Sequence, residues 1–101
     1  MGIDVYWRNE RGEILAAVED SDALAQMSSL LFRQTGSSCL RFIDPAGDAC
    51  FNQLQIPVLA SEIRNLLPAI ENPRWQSHLQ AVLSLVEGAS MSHTYVWFGG
   101  D

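Results

Sequence analysis

The sequence predicts an α+β domain: a mainly antiparallel five-stranded sheet with helices packed on one face, in the order β-β-α-β-β-α-α-β. Three observations predict it. Residues 3–8 alternate apolar and polar side chains, which is the period of a half-buried strand, and turn-bounded stretches in the middle and near the end also read as strands. Three other stretches repeat apolar residues at helical spacing. Turn clusters rich in Gly, Pro, Asn and Asp separate them. Hairpins and single strands divided by helices favour an antiparallel sheet over a parallel one.

Taken in order, Ile3, Val5 and Trp7 alternate with Asp4, Tyr6 and Arg8, predicting a strand with two different faces. Asn9-Glu10-Arg11-Gly12 is a turn, with glycine where a positive φ is cheap. Ile14, Ala16 and Val18 form the return strand. Asp20 or Ser21 then caps a helix, with Asp22 in its first turn. Leu24, Met27, Leu30 and Leu31 form its stripe, through about Gln34.

A second hairpin is expected at the centre of the fold, from Cys39 to Asn52. Its strands are Cys39-Leu40-Arg41-Phe42-Ile43 and Asp48-Ala49-Cys50-Phe51. Asp44-Pro45-Ala46-Gly47 reads as a type I turn with Gly47 in the left-handed region. In that register Phe42 opposes Cys50 and Arg41 opposes Phe51. Cys39 and Cys50 then fall on opposite faces, so no disulfide is expected between them.

Pro57 suits the first residue of a second helix, whose stripe is Leu59, Ile63, Leu66 and Leu67. Pro68 ends or kinks it. Asn72-Pro73 pairs a cap with a proline and opens a third helix. Trp75, Leu79, Val82 and Val86 form that helix's stripe, and it stops at Gly88. The last strand is expected from Ser92 to Phe98.

The chain has 101 residues, room for one domain over 1–101. Apolar residues make up 48% and charged residues 18%, a globular composition with apolar surface enough for a core. Twelve acids against six bases leave a net charge of −6, which disfavours phosphate backbones and anionic membranes. The same charge suits a basic protein partner or simply solubility. All six bases are Arg, a bias that high-GC bacterial genomes produce. No run of about twenty apolar residues is present to span a bilayer. The first residues lack a basic leader followed by an apolar segment, so a cytoplasmic location is expected.

No catalytic or metal-binding constellation stands out. His78 and His93 have no Cys, His or Asp at ligand spacing, and no metal or cofactor is expected. His78 fits the edge of the third helix's stripe. Cys39 and Cys50 read as buried thiols in strands. Ser37, Ser38 and His93 lack the strand-to-helix elbow of a nucleophilic serine. Asp44 and Asp48 could serve as an acid and base pair, but Asp44 is better explained by an Asx-turn. The protein is therefore not expected to be an enzyme.

Aromatic residues on strand faces ask for a partner. If Ile3, Val5 and Trp7 face the helices, Tyr6 and Arg8 face away. If Thr94, Val96 and Phe98 face in, Tyr95 and Trp97 face out. With helices on one face only, the candidate partner-binding residues are Tyr6, Arg41, Phe51, Tyr95 and Trp97. Aromatic and Arg clusters of this kind make interface hot spots. Two alternatives stay open: the third helix or a loop covers this face, or a shift of register by one residue exchanges the two faces.

Leu40-Arg41-Phe42-Ile43-Asp44-Pro45, Gly47-Asp48, Phe51-Asn52 and Leu54-Gln55 resemble a group of small bacterial proteins of unknown function. Those proteins also end in a His-Thr-Tyr strand and a Gly-Asp, as in His93-Thr94-Tyr95 and Gly100-Asp101. They carry an aromatic residue between the turn's Pro and Gly, where this chain has Ala46. The resemblance implies a shared fold and brings no activity and no active residues.

The leading expectation is a protein-binding module, most concretely an immunity- or antitoxin-like protein that neutralises a basic toxin. A second is a homodimer that closes the aromatic face on itself. A third is a small-ligand site or enzyme built on Asp44, Asp48, Arg41 and His93.

Overall fold

The computed structural model describes residues 2–19, 22–32, 36–44 and 46–100. It is an α+β fold with a four-stranded antiparallel sheet in the spatial order β2-β1-β4-β3. The strands are β1 (Ile3–Asn9), β2 (Ile14–Val18), β3 (Asp48–Phe51) and β4 (Thr94–Gly100). The helices are α1 (Ala23–Gln26), α2 (Ser28–Phe32), α3 (Ile56–Leu66) and α4 (Pro73–Gly88), with 3-10 turns at Leu40–Phe42 and Leu67–Ala69.

The first hairpin forms as its alternation predicts. Asn9 organises the loop, its side-chain oxygen accepting from the Arg11 and Glu13 amides at 3.0 Å each. Gly12 takes φ +81°, a conformation that L side chains adopt only under strain. The return strand carries a bulge: Trp7 opposes Ala16, but Arg8 opposes Ile14.

The central hairpin does not form, and this overturns both the five strands and the predicted order. Leu40–Phe42 is a 3-10 turn, and β3 pairs with β4 instead. The cause lies on α3. The Glu62 carboxylate accepts from the backbone amides of Ser38, Cys39 (3.0 Å) and Leu40 (3.1 Å). Two of those donors begin the segment that a hairpin ladder would have used. Burial follows the same logic: Cys39, Leu40 and Ile43 are buried, whereas Arg41 and Phe42 are exposed. That spacing is helical, not alternating.

The turn after it keeps part of its predicted chemistry. Asp44 Oδ1 accepts from the Ala46 amide at 2.9 Å, and the Asp44 carbonyl accepts from Gly47 at 3.3 Å. Pro45 lies outside the described residues. Gly47 does not adopt the expected positive φ. Glycine fits there because a Cβ would meet Asp44 Oδ2 at 2.9 Å.

The predicted first helix is broken at Met27 into two short segments. Its expected caps Asp20 and Ser21, and its end near Gln34, lie outside the described residues. Asp22 is the residue before α1 and holds φ 65°.

The helix α3 starts through a reciprocal device. Asn52 Oδ1 accepts from the Leu54 and Gln55 amides, and Gln55 Oε1 accepts from the Asn52 amide at 2.9 Å. This is the geometry of a capping box, written in sequence as Asn-x-x-Gln. Asn72 caps α4 as predicted, accepting from the amides of Arg74 at 3.0 Å and Trp75 at 3.3 Å.

The helices cover one face of the sheet. Ile3, Val5, Phe51, Val96 and Phe98 point into a single core with Leu59, Ile63, Leu79, Val82 and Val86. Phe51 meets Phe98 edge to face, with ring centroids 5.8 Å apart. Thr94 is buried there too, its hydroxyl within reach of the Met91 carbonyl at 2.7 Å.

Candidate functional site

The other face of the sheet carries no described helix, and strand register sets out its side chains in rows. Across the middle run Ala17, Tyr6, Trp97 and Cys50, each opposite the next. One step along, Asp4 and Asp48 both oppose Gly99. One step the other way, Arg8 opposes Tyr95. The face is thus acidic at one end, aromatic in the middle, and joins an arginine to a tyrosine at the other end.

Local contacts hold this pattern in place. The Tyr6 hydroxyl donates to Asp4 Oδ2 at 3.2 Å. Desolvation first, then the hydrogen bond and charge of Asp4, push the Tyr6 phenol above its ordinary pKa, and Glu19 adds to the effect. Glu19 therefore belongs electrostatically to the acidic end. The Arg8 guanidinium carbon lies 5.1 Å from the Tyr6 ring centroid and 4.9 Å from that of Trp97. Such contacts hold a cation against the ring faces and orient it.

Gly99 leaves the acidic row open. A Cβ there would lie 3.6 Å from Asp48 Oδ1 and 3.9 Å from the Tyr6 ring. The backbone between the two carboxylates is thus uncovered by any side chain of its own.

Of the five residues expected to bind a partner, the structure brings three together. Tyr6, Tyr95 and Trp97 share the open face. Phe51 does not: it is 3% exposed and belongs to the core. Its expected face came from pairing with Arg41, whereas its actual partner is Val96. Arg41 sits in the 3-10 turn, which packs against α2 and α3, and its guanidinium lies 4.8 Å from the Phe42 ring. Arg8 supplies the arginine of the open face instead. Asp4, Asp48 and Cys50 also lie on this face. Alternation along β1 placed Asp4 and Arg8 beside Tyr6, whereas Asp48 and Cys50 needed the β3–β4 pairing.

Two of the residues considered for a small-ligand or enzymatic site, Asp48 and His93, lie far apart. Asp48 opposes Gly99, and His93 precedes Thr94 at the far end of β4. Six residues of extended chain separate those ends by roughly 20 Å. His93 takes φ 58°, its amide donates to Gln53 Oε1, and its ring lies 3.8 Å from Glu10. Among the described residues no group of three or more His, Cys, Asp or Glu side chains is placed to hold a metal ion.

Both cysteines are free thiols in different settings. Cys39 is buried as expected, and burial first, then Glu62, pushes its thiol up to about 11. Cys50 is exposed on the open face, which corrects the expectation of a second buried thiol. Desolvation still raises its thiol, with Arg8 acting in the opposite direction.

No helix among the described residues is long and apolar enough to cross a membrane. The chain matches no protein-family model, no curated protein and no solved structure.

Proposed function

We propose that this chain is a protein-binding module that docks a basic protein through the open face of its sheet. In its most concrete form it is an immunity- or antitoxin-like protein that neutralises a basic toxin. One observation carries the reading: Tyr6 and Trp97 lie side by side on an uncovered sheet face, directly beside a row containing Asp4 and Asp48. Tyr, Trp and Arg are the residues that dominate binding energy at protein interfaces. Acids beside them steer a basic partner and reject an acidic one. The net charge of −6 acts in the same direction at longer range.

The test uses the intact chain as bait in extracts of its source cells. A basic protein is expected to be retained by the wild type and lost from Trp97→Ala and from the double variant Asp4→Asn/Asp48→Asn. Capture that survives all of these substitutions, or no capture by the wild type, removes the reading.

A second reading is favoured by the polarity of the same face. Arg8 and Asp4 lie at opposite ends of β1, so a two-fold related copy laid on this face would set each Arg8 toward the other copy's Asp4. Light scattering at micromolar concentration separates the two. A dimer abolished by Trp97→Ala supports self-association, and a monomer removes it.

A further inference from the structure

Arg8 has an oriented guanidinium with at least one donor left without an acceptor among the described residues. Contacts to Tyr6 and Trp97 engage the cation through ring faces. The five N–H donors of a guanidinium lie in its plane and need acceptors of their own. The Arg8 Nε is buried without an acceptor among the described residues. No ion pair joins Arg8 to a carboxylate among those residues either, in a chain that carries twelve acids.

The arginine also borders a cleft of about 310 Å³, shared with Glu10, Cys50, Tyr95 and Trp97. That volume is at the small end of ligand sites, enough for a side chain or a small acid. Glu10 is the acid in this lining, and its carboxylate faces the His93 ring at 3.8 Å.

We infer that the Arg8 cleft receives a carboxylate side chain presented by the basic partner. The inference rests on the docking reading and specifies the chemistry of one contact within it. A carboxylate is favoured because it is planar, singly charged and matched to the guanidinium fork. A phosphate carries more charge and would meet Glu10 and the acidic row on the same face. The partner then presents a mixed pattern: a carboxylate over Arg8 and bases over Asp4 and Asp48. Four residues of extended strand place these contacts about 13 Å apart. Such a pattern fixes the orientation of the partner, which a uniformly basic surface could not do.

The experiment needs no partner. The full chain, labelled with nitrogen-15, is titrated with benzoate, with benzamide and with inorganic phosphate. The signals followed are the Arg8 Nε–H and the Trp97 indole N–H, with Cys50 alkylation as a second readout. Benzoate is expected to shift both signals saturably with Kd of about 1 to 10 mM, and to slow alkylation of Cys50. Benzamide has the same shape without the charge and is expected to bind at least about tenfold more weakly, a difference near 1.4 kcal/mol. Arg8→Lys keeps the charge but loses the fork, and is expected to weaken benzoate several-fold.

Equal binding of benzamide, tighter binding of phosphate, or no saturable shift with benzoate each overturns the inference. The comparison of benzoate with benzamide on the wild type decides the matter even if the Arg8 variant fails to fold. A failed titration removes the carboxylate site and leaves the docking face standing. A successful titration with failed capture does the reverse.

Discussion

The two faces of the sheet are built from the same strands and differ in every property that matters for use. Toward the helices stand Ile3, Val5, Val96 and Phe98, each at 0–1% exposure. Their immediate neighbours in sequence, Asp4, Tyr6, Trp97 and Gly99, form the middle and the acidic end of the open face. On the first face volume and burial decide which residue fits. On the second, rings are partly solvated and each carries a polar handle or touches one: the Tyr6 hydroxyl on Asp4, the Arg8 cation on Tyr6 and Trp97. Strand alternation therefore places stability and recognition one residue apart. Substitutions at adjacent positions should have separable consequences.

The sharpest test is the pair Phe98 and Trp97. Phe98→Ala empties a core site that meets Phe51 edge to face, and should cost about 3 to 5 kcal/mol of stability in denaturant titrations. Trp97→Ala should cost distinctly less stability, while weakening partner binding by about 2 kcal/mol or more. If the two losses of stability were equal, the division between the faces would fail.

The cysteines carry the comparison into pH. Cys39 lies in the core and its thiol is raised from 9.0 to about 11. The folded state thus favours the protonated thiol. Its contribution is fully present below pH 9 and is lost as pH rises through about 11, on the order of 2 to 3 kcal/mol for two units. Denaturation midpoints of wild type and Cys39→Ser, followed from pH 8 to pH 11, should therefore converge. In native protein at pH 8, Cys50 should be alkylated while Cys39 reacts only on unfolding, which mass spectrometry reads directly.

The smallest expected effect is at Tyr6. Tyr6→Phe removes the donor to Asp4 at a half-exposed site and should cost about 0.5 to 1.5 kcal/mol or less. The Tyr6 phenol is raised, so its contribution is present below pH 10 and falls above it. Ultraviolet titration of the phenol in wild type and Asp4→Asn measures that shift, which should shrink when the carboxylate is removed.

Local rules were sufficient where the chain's partners are close in sequence. The first hairpin follows from alternation around Asn9 and Gly12, and α4 from the Asn72-Pro73 cap and its stripe. They failed where a distant group claimed the backbone. Cys39-Leu40-Arg41-Phe42-Ile43 is apolar at both odd and even positions, so period alone did not distinguish strand from helical turn. Glu62, more than twenty residues later, decided it by capturing the amides at the start of that segment. The consequence reaches the candidate site. Phe51 and Arg41 had inherited their face from a pairing that does not occur, whereas Tyr6, Tyr95 and Trp97 drew theirs from alternation within their own strands. Asn52-x-x-Gln55, the capping box that opens α3, is a signal legible in the sequence itself.

By itself, the sequence determined an acidic α+β domain, an antiparallel sheet, and aromatic residues in its first and last strands. These follow from period, turn chemistry and charge, which act over a few residues. Only the tertiary structure decided which strand lies beside β4, that Phe51 is core, and that Arg8 stands between Tyr6 and Trp97 above a cleft. Strand neighbours and side-chain clefts are set by contacts between distant segments, where backbone donors such as those of Cys39 and Leu40 have competing acceptors. The outcome depends on which acceptor the rest of the fold brings close.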